Sequence, residues 1–243
     1  LAATMSTLTL VRHGQASFFE DDYDQLSALG EKQSHRLGEY LAAREQRFDL
    51  VFVGPRRRHT QTAEAVAGVF RDAGADWPET ILCPELDEHN AVESVARDRK
   101  RLGERFPHLT ELEAQLMVAE TPEGRKRAYG RLFTAVMDLW MQDQLEVPGL
   151  EPWHNFLARV RRGIDAIVAK SGRNQRVIAF TSGGPVAAAV QLALQGEERA
   201  TLLLASRVAN TSYTRFLFDG DRFSLDCFNG TGHLREPDLE THL

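Results

Sequence analysis

The sequence predicts an α/β fold, a three-layer sandwich in which helices cover both faces of a mostly parallel central sheet. Short β-prone runs alternate with longer amphipathic segments, the order that builds a parallel sheet with crossover helices. The runs at 50–53 (Leu-Val-Phe-Val) and 177–180 (Val-Ile-Ala-Phe) are apolar at every position, as strands buried on both faces are. Strand, glycine-containing turn and helix then recur along the chain. In such sheets ligands sit outside the carboxyl ends of the strands, so the loops that follow the strands are where function is expected.

Each element has a local reason. Residues 7–11 (Thr-Leu-Thr-Leu-Val) are β-prone, whereas Gly14 and the polar stretch through Asp24 cannot continue a strand. Ser27 suits an N-cap, and Leu29, Leu37 and Leu41 recur at near-helical spacing, which predicts a helix over about 27–47. The strand at 50–53 ends at Gly54-Pro55, and a second helix over about 57–73 carries Ala63, Val66, Ala67 and Phe70 on one face. Ile81-Leu82 is a third, short strand. Residues 91–143 are charged and helix-prone, with breaks at Phe106-Pro107 and at Thr121-Pro122, where Thr and Pro suit an N-cap and first turn. They predict a helical cap insertion. Residues 145–152 separate helices, and Phe156, Val160, Ile164, Ile167 and Val168 mark the next one. A strand at 177–181 then enters the turn Ser182-Gly183-Gly184-Pro185 and an Ala/Val-rich helix. Residues 213–218 and 223–228, separated by Asp219-Gly220-Asp221, predict a closing hairpin. With no fixed-period repeat and no low-complexity tract, the expectation is one domain over residues 5–243 with the insertion at 91–143.

Composition narrows the function classes. The 243 residues are 42% hydrophobic and 26% charged, an ordinary globular composition that excludes a disordered or fibrous chain. With 29 Lys and Arg against 35 Asp and Glu, the net charge is −6, so an anionic ligand must be drawn by a local cluster of cations. Nucleic acid and membrane surfaces are not expected partners. Cys83 and Cys227 are the only cysteines and have no metal-like spacing, which predicts neither disulfide nor zinc site and fits a reducing compartment. The apolar runs are too short to span a bilayer, Met5 reads as a natural start, and a cytoplasmic protein is expected.

The loops after the predicted strands carry unusual chemistry. Arg12-His13-Gly14 puts an imidazole on a rigid strand end beside a guanidinium. Neutral imidazole is a competent nucleophile toward phosphorus, and the planar fork of arginine suits phosphate oxygens. Taken alone, such a histidine reads more simply as one that caps a loop. The second loop holds Arg56-Arg57-Arg58 with Gln61-Thr62, the third Ser182-Gly183-Gly184, and the fourth residues 85–89. Ser182 lacks the first glycine of a Gly-x-Ser-x-Gly elbow, since Phe180 stands there, and nucleotide-binding glycine motifs are absent. No pair of histidines has metal-site spacing, so no metal or other cofactor is expected.

Together the runs at 10–17 (Leu-Val-Arg-His-Gly-Gln-Ala-Ser), 26–33 (Leu-Ser-Ala-Leu-Gly-Glu-Lys-Gln) and 58–63 (Arg-His-Thr-Gln-Thr-Ala) resemble the histidine phosphatase superfamily, the phosphoglycerate mutase-like proteins. Leu86-Asp87-Glu88, residues 177–184 and His233-Leu234 resemble its later segments, so the likeness runs from 7 to 234 and leaves only 91–143 without a motif. The resemblance implies a phosphoglycerate mutase-like fold with the insertion over the active site. It implies a metal-independent phosphatase that hydrolyses a small phosphorylated metabolite through a phosphohistidine at His13. Arg12 and Arg58 would clamp the phosphoryl oxygens, Glu88 would be the general acid, and Gly14 would leave room for the phosphoryl group. Ser182 and Gly183 would offer a hydroxyl and backbone N–H to it.

The departures are specific. Ser182 stands where the family has its second catalytic histidine, and Phe18-Phe19 fills the stretch where it has an asparagine. A hydroxyl gives a neutral hydrogen bond, roughly half as strong as that of an imidazolium. Loss of one such donor reduces turnover on the order of 100- to 1000-fold. Two readings therefore stand: a phosphatase acting through His13, or a non-catalytic member that binds a phosphorylated ligand or partner through Arg12, Arg58 and Ser182. His89 and His233 are candidates to replace the lost imidazole. His35, His59, His108, His154 and His242 read as surface or helix-face residues. Basic residues of the insertion read either as a solvated face or as a selector for a second anionic group.

Overall fold

A computed structural model describes residues 5–17, 24–219 and 222–242. Phe18-Phe19 and the Gly220-Asp221 part of the hairpin turn lie outside the described residues. The chain forms two compact units, Leu1–Glu88 with Arg159–Leu243, and His89–Ala158.

In the first unit, strands β1 (Ser6–Arg12), β2 (Leu50–Val53), β3 (Thr80–Leu82), β4 (Arg176–Thr181), β5 (Tyr213–Phe218) and β6 (Phe223–Gly230) make one sheet in the order β3-β2-β4-β1-β5-β6. The β3-β2-β4-β1 part is parallel, and the closing pair β5 and β6 is antiparallel. Helices α1 (Ala28–Ala42) and α2 (Arg57–Asp72) pack on the sheet through one core of Val11, Leu37, Leu41, Val51, Val66, Phe70, Ile178 and Phe180. Neighbouring residues on β1 point to opposite faces, yet Leu8, Leu10 and Val11 are all fully buried, so both faces of the sheet are covered.

Ser27 caps α1, its Oγ accepting from Gly30 N at 3.1 Å, as its position predicts. The helix ends at Ala42 rather than near Arg47. Glu45 adopts a left-handed φ of 52°, and Gln46 N returns to Leu41 O at 3.1 Å. Three more helices complete this part of the chain: α7 (Trp153–Lys170), which starts in the second unit, α8 (Gly183–Leu194) and α9 (Glu198–Ala205). The sequence reading does not anticipate α9, which follows α8 after a left-handed Gln195, φ 51°.

The second unit holds α3 (Ala91–Arg97), α4 (Arg99–Arg105), α5 (Pro107–Met117) and α6 (Pro122–Met141). Pro107 and Pro122 both stand in first turns, and Thr121 caps α6 by accepting from Gly124 N at 3.0 Å. Trp140, Trp153 and Phe156 cluster here, with centroids 5.1 to 5.8 Å apart. Among the described residues no helix is long and apolar enough to cross a membrane.

Candidate active site

Parallel pairing brings the motif loops together. Arg12 lies opposite Thr181, and His13 N donates to Thr181 O at 2.8 Å, so Arg12-His13-Gly14 and Ser182-Gly183-Gly184 leave adjacent strand ends. On the other side of β4, Gly54 N donates to Phe180 O at 2.9 Å just before the chain turns into α2 with Arg58 and His59.

His13 is buried, and both ring nitrogens are engaged. Its Nδ1 lies 2.7 Å from Gly14 O, and Arg58 Nε donates to its Nε2 at 3.0 Å. A guanidinium only donates and stays charged, so the Nε2 lone pair is exposed to it and Nδ1–H donates to Gly14 O. Burial first, then Arg58, Arg12 and His59, hold the imidazole well below its ordinary pKa of 6.5. The result is a neutral imidazole with its lone pair on Nε2, the form that attacks an electrophile.

Arg58 is buried as well, and its Nη1 donates to Asp24 Oδ1 at 2.8 Å. Asp24 Oδ2 accepts from Arg57 N at 3.0 Å in the first turn of α2, where the helix dipole favours an anion. Arg12 reaches the same region but its Nη1 donates to Val208 O and His242 O, and its Nε and Cδ pass within 3.8 Å of the point where a Cβ on Gly183 would stand.

The acid loop is anchored from three sides. Arg159 of α7 donates through Nη1 to Glu85 O at 2.8 Å and Asp87 O at 3.0 Å, and Thr181 Oγ1 donates to Leu86 O at 2.7 Å. Arg56 pairs with Asp87, whose Oδ1 accepts from Glu88 N at 2.8 Å. Glu88 Oε2 accepts from Gly184 N at 3.3 Å, which ties the carboxylate to the first turn of α8.

His59 corrects the sequence reading. It lies on the buried face of α2, fully enclosed, its ring centroid 5.6 Å from that of His13 and its Nε2 hydrogen-bonded to Ser182 Oγ at 2.7 Å. A Cβ at Gly54, the residue after β2, would come within 2.5 Å of His59 Nδ1 and 2.8 Å of Leu86 O, so the ring and the Leu86 carbonyl both need that space. The signal was present, because His59 continues the stripe of Ala63, Val66 and Phe70 at helical spacing. Burial, with Arg58 and Arg56 next in order, lowers its pKa well below 6.5.

Packing also requires Gly14. A Cβ there would stand 2.4 Å from Gly30 O and 2.8 Å from Ser34 Oγ, so the missing side chain lets the loop lie against α1. The motif's polar residues hold that loop: Thr62 Oγ1 accepts from Gly14 N, Gln33 Oε1 from Gln15 N and Gln61 Oε1 from Leu26 N. The two histidines expected as substitutes differ in their surroundings. His233 Nε2 bonds Thr211 Oγ1 at 2.9 Å, behind the backbone of His13, and burial takes its pKa to about 4. His89 belongs to the second unit, its ring 4.8 Å from that of Trp140. Among the described residues no group of three or more His, Cys, Asp and Glu is placed to hold a metal ion.

Comparison with known proteins bears on this geometry. The family model of the histidine phosphatase superfamily (branch 1) matches residues 8–127 and 108–231. Phosphoglycerate mutase from Bacillus anthracis str. Sterne superposes with a TM-score of 0.62 at 16% identity, over 95% of this chain and 96% of that one. A mycobacterial glucosyl-3-phosphoglycerate phosphatase gives 0.61 at 18% identity, over 93% and 99%. Phosphoserine phosphatase from Entamoeba histolytica, in complex with 3-phosphoglyceric acid, gives 0.58 at 17%, over 95% and 100%. No curated protein sequence matches the chain. The solved structures share its fold, the family match runs from β1 to β6, and the chain belongs to the histidine phosphatase superfamily, branch 1.

Proposed function

We propose that the protein hydrolyses the phosphomonoester of a small phosphorylated metabolite through a phosphohistidine at His13. The observation that carries this reading is the bond from Arg58 Nε to His13 Nε2, which keeps a lone pair on a buried, neutral imidazole next to a fixed cation. A residue that only bound an anion would have no use for that state.

In the first step the Nε2 lone pair attacks phosphorus, the bond to the ester oxygen breaks, and Glu88 gives its proton to that oxygen. In the second, the Glu88 carboxylate takes a proton from water, the water oxygen attacks phosphorus, and the P–N bond breaks to return the lone pair to His13. Charge on the phosphoryl oxygens is met by the guanidinium groups of Arg58 and Arg12. The incoming dianion replaces Asp24 as the partner of Arg58. Relatives named for phosphoserine and for glucosyl-3-phosphoglycerate support a small phosphorylated substrate.

The test is hydrolysis of p-nitrophenyl phosphate by the unaltered protein and by His13→Ala, with and without chelator. His13→Ala is expected to abolish turnover and chelator to leave it unchanged. Turnover that survives His13→Ala would overturn the reading, and phosphate binding without turnover would favour a non-catalytic binder.

A further inference from the structure

Ser182 stands at the N-cap of α8 with extended backbone, φ −112° and ψ 175°, yet its hydroxyl makes no cap hydrogen bond. A serine there ordinarily accepts from the N–H of the second or third helical residue. Here the third is Pro185, which has no N–H, and the N–H of the second, Gly184, goes to Glu88. The hydroxyl is thereby released from the helix and lies 2.7 Å from His59 Nε2, both residues being fully buried. Enclosing an imidazole this completely is unfavourable unless it is hydrogen-bonded, and the hydrogen bond to Ser182 is the one the ring has, since Nδ1 has no partner among the described residues.

We propose that His59 acts through Ser182 as a positioning residue for the phosphoryl group: His59 Nε2–H donates to Ser182 Oγ, and the single hydroxyl proton of Ser182 is donated to a phosphoryl oxygen at His13. The inference rests on His13 as the nucleophile. An imidazole absent from position 182 thus stands one side chain further back, on α2 beside Arg58. The hydroxyl has one proton, so the direction of the pair decides what the site presents. If Ser182 donated to His59, only lone pairs would face the phosphoryl oxygens. With the pair reversed, a donor faces them, and no proton has to be transferred during reaction.

Four proteins test this, the unaltered chain, His59→Ala, Ser182→Ala and the double variant, through kcat and KM for p-nitrophenyl phosphate. Each single change is expected to lower kcat by about 10- to 100-fold with little effect on KM, and the double variant to be no worse than a single one, as for groups acting as a unit. His59→Gln, whose amide can donate to Ser182, should recover part of the loss. Unchanged kcat in His59→Ala, or losses that multiply in the double variant, would overturn the proposal. A measurement on the unaltered protein does not depend on the variants folding: nitrogen NMR of the His59 ring with orthovanadate bound is expected to show Nε2 protonated, and an unprotonated Nε2 rules the relay out. His13→Ala separates the two levels. Turnover that survives it removes the phosphohistidine reading and this inference together, whereas turnover that it abolishes but that ignores His59→Ala removes this inference alone.

Discussion

Arg58 Nε donates to His13 Nε2 across 3.0 Å, and that bond settles where the imidazole keeps its proton, on Nδ1 against Gly14 O. The same guanidinium reaches Asp24 through Nη1 at 2.8 Å, so one planar group holds the His13 ring with one edge and a carboxylate with another. A lysine offers a compact charge that cannot span both. Arg58→Lys is therefore expected to lower kcat/KM for p-nitrophenyl phosphate on the order of 100-fold. Steady-state kinetics beside a melting curve of each protein would show whether folding is spared.

Asp24 is a carboxylate paired with Arg58, and its charge opposes any anion arriving there. At about 6 Å and an effective dielectric of about 50, between the protein-surface and bulk-water values, removing a unit charge is worth roughly 1 kcal/mol for each phosphate charge, or about fivefold in affinity. Asp24→Asn should tighten inorganic phosphate binding by that factor, more at low salt than at high, as titration calorimetry would report. Weaker binding would mean that Asp24 serves mainly to aim the guanidinium.

Folding should be sensitive to mild acid. His13 and His59 are held well below 6.5 and His233 at about 4, burial being the first cause in each case. Below pH 6.5 the unfolded chain takes up protons on these rings and the folded chain does not, so stability falls as pH falls. Each group contributes up to about 1.4 kcal/mol per pH unit, for His233 until the folded ring titrates near 4. Urea midpoints should drop steadily between pH 7 and 5, and His233→Asn should make that slope shallower by about one proton.

Arg159 of α7 holds two carbonyls of the acid loop, those of Glu85 and Asp87. Charge-assisted hydrogen bonds contribute about 1.5–3 kcal/mol, so Arg159→Met should cost about 2 kcal/mol and lower the melting temperature by roughly 4–8 °C. Turnover should fall further than stability, because Glu88 follows directly on the loosened carbonyl. A calorimetric scan paired with kcat would separate the two losses.

What was legible in the sequence follows the range of the forces involved. Strand β1, the Pro107 and Thr121-Pro122 helix starts and the β5–β6 pair are local in origin, and propensity and capping place them correctly. The end of α1 was not legible, since 43–47 are good helix formers and only the left-handed Glu45 turns them away. In the site, His13 and Arg58 were read from their motifs, and their meeting follows from strand order. His59 lies within the 58–63 run on a stripe that helical spacing marks, but Asp24 and Arg159 carry no motif. Their placement is set by packing and by ion pairs between residues distant in the chain, which periodicity alone does not reveal.

Gly54 and His59 share one volume at the junction of β2 and α2. No side chain can be added at the first position while the ring occupies the second. An Ala introduced at 54 would meet the backbone carbonyl of Leu86 at 2.8 Å as well as the His59 ring at 2.5 Å, so trimming residue 59 alone should not restore a protein that carries it. The loop that carries Glu88 and the helix that carries Arg58 are thus both seated against the one residue that follows β2, and a side chain there would unseat both.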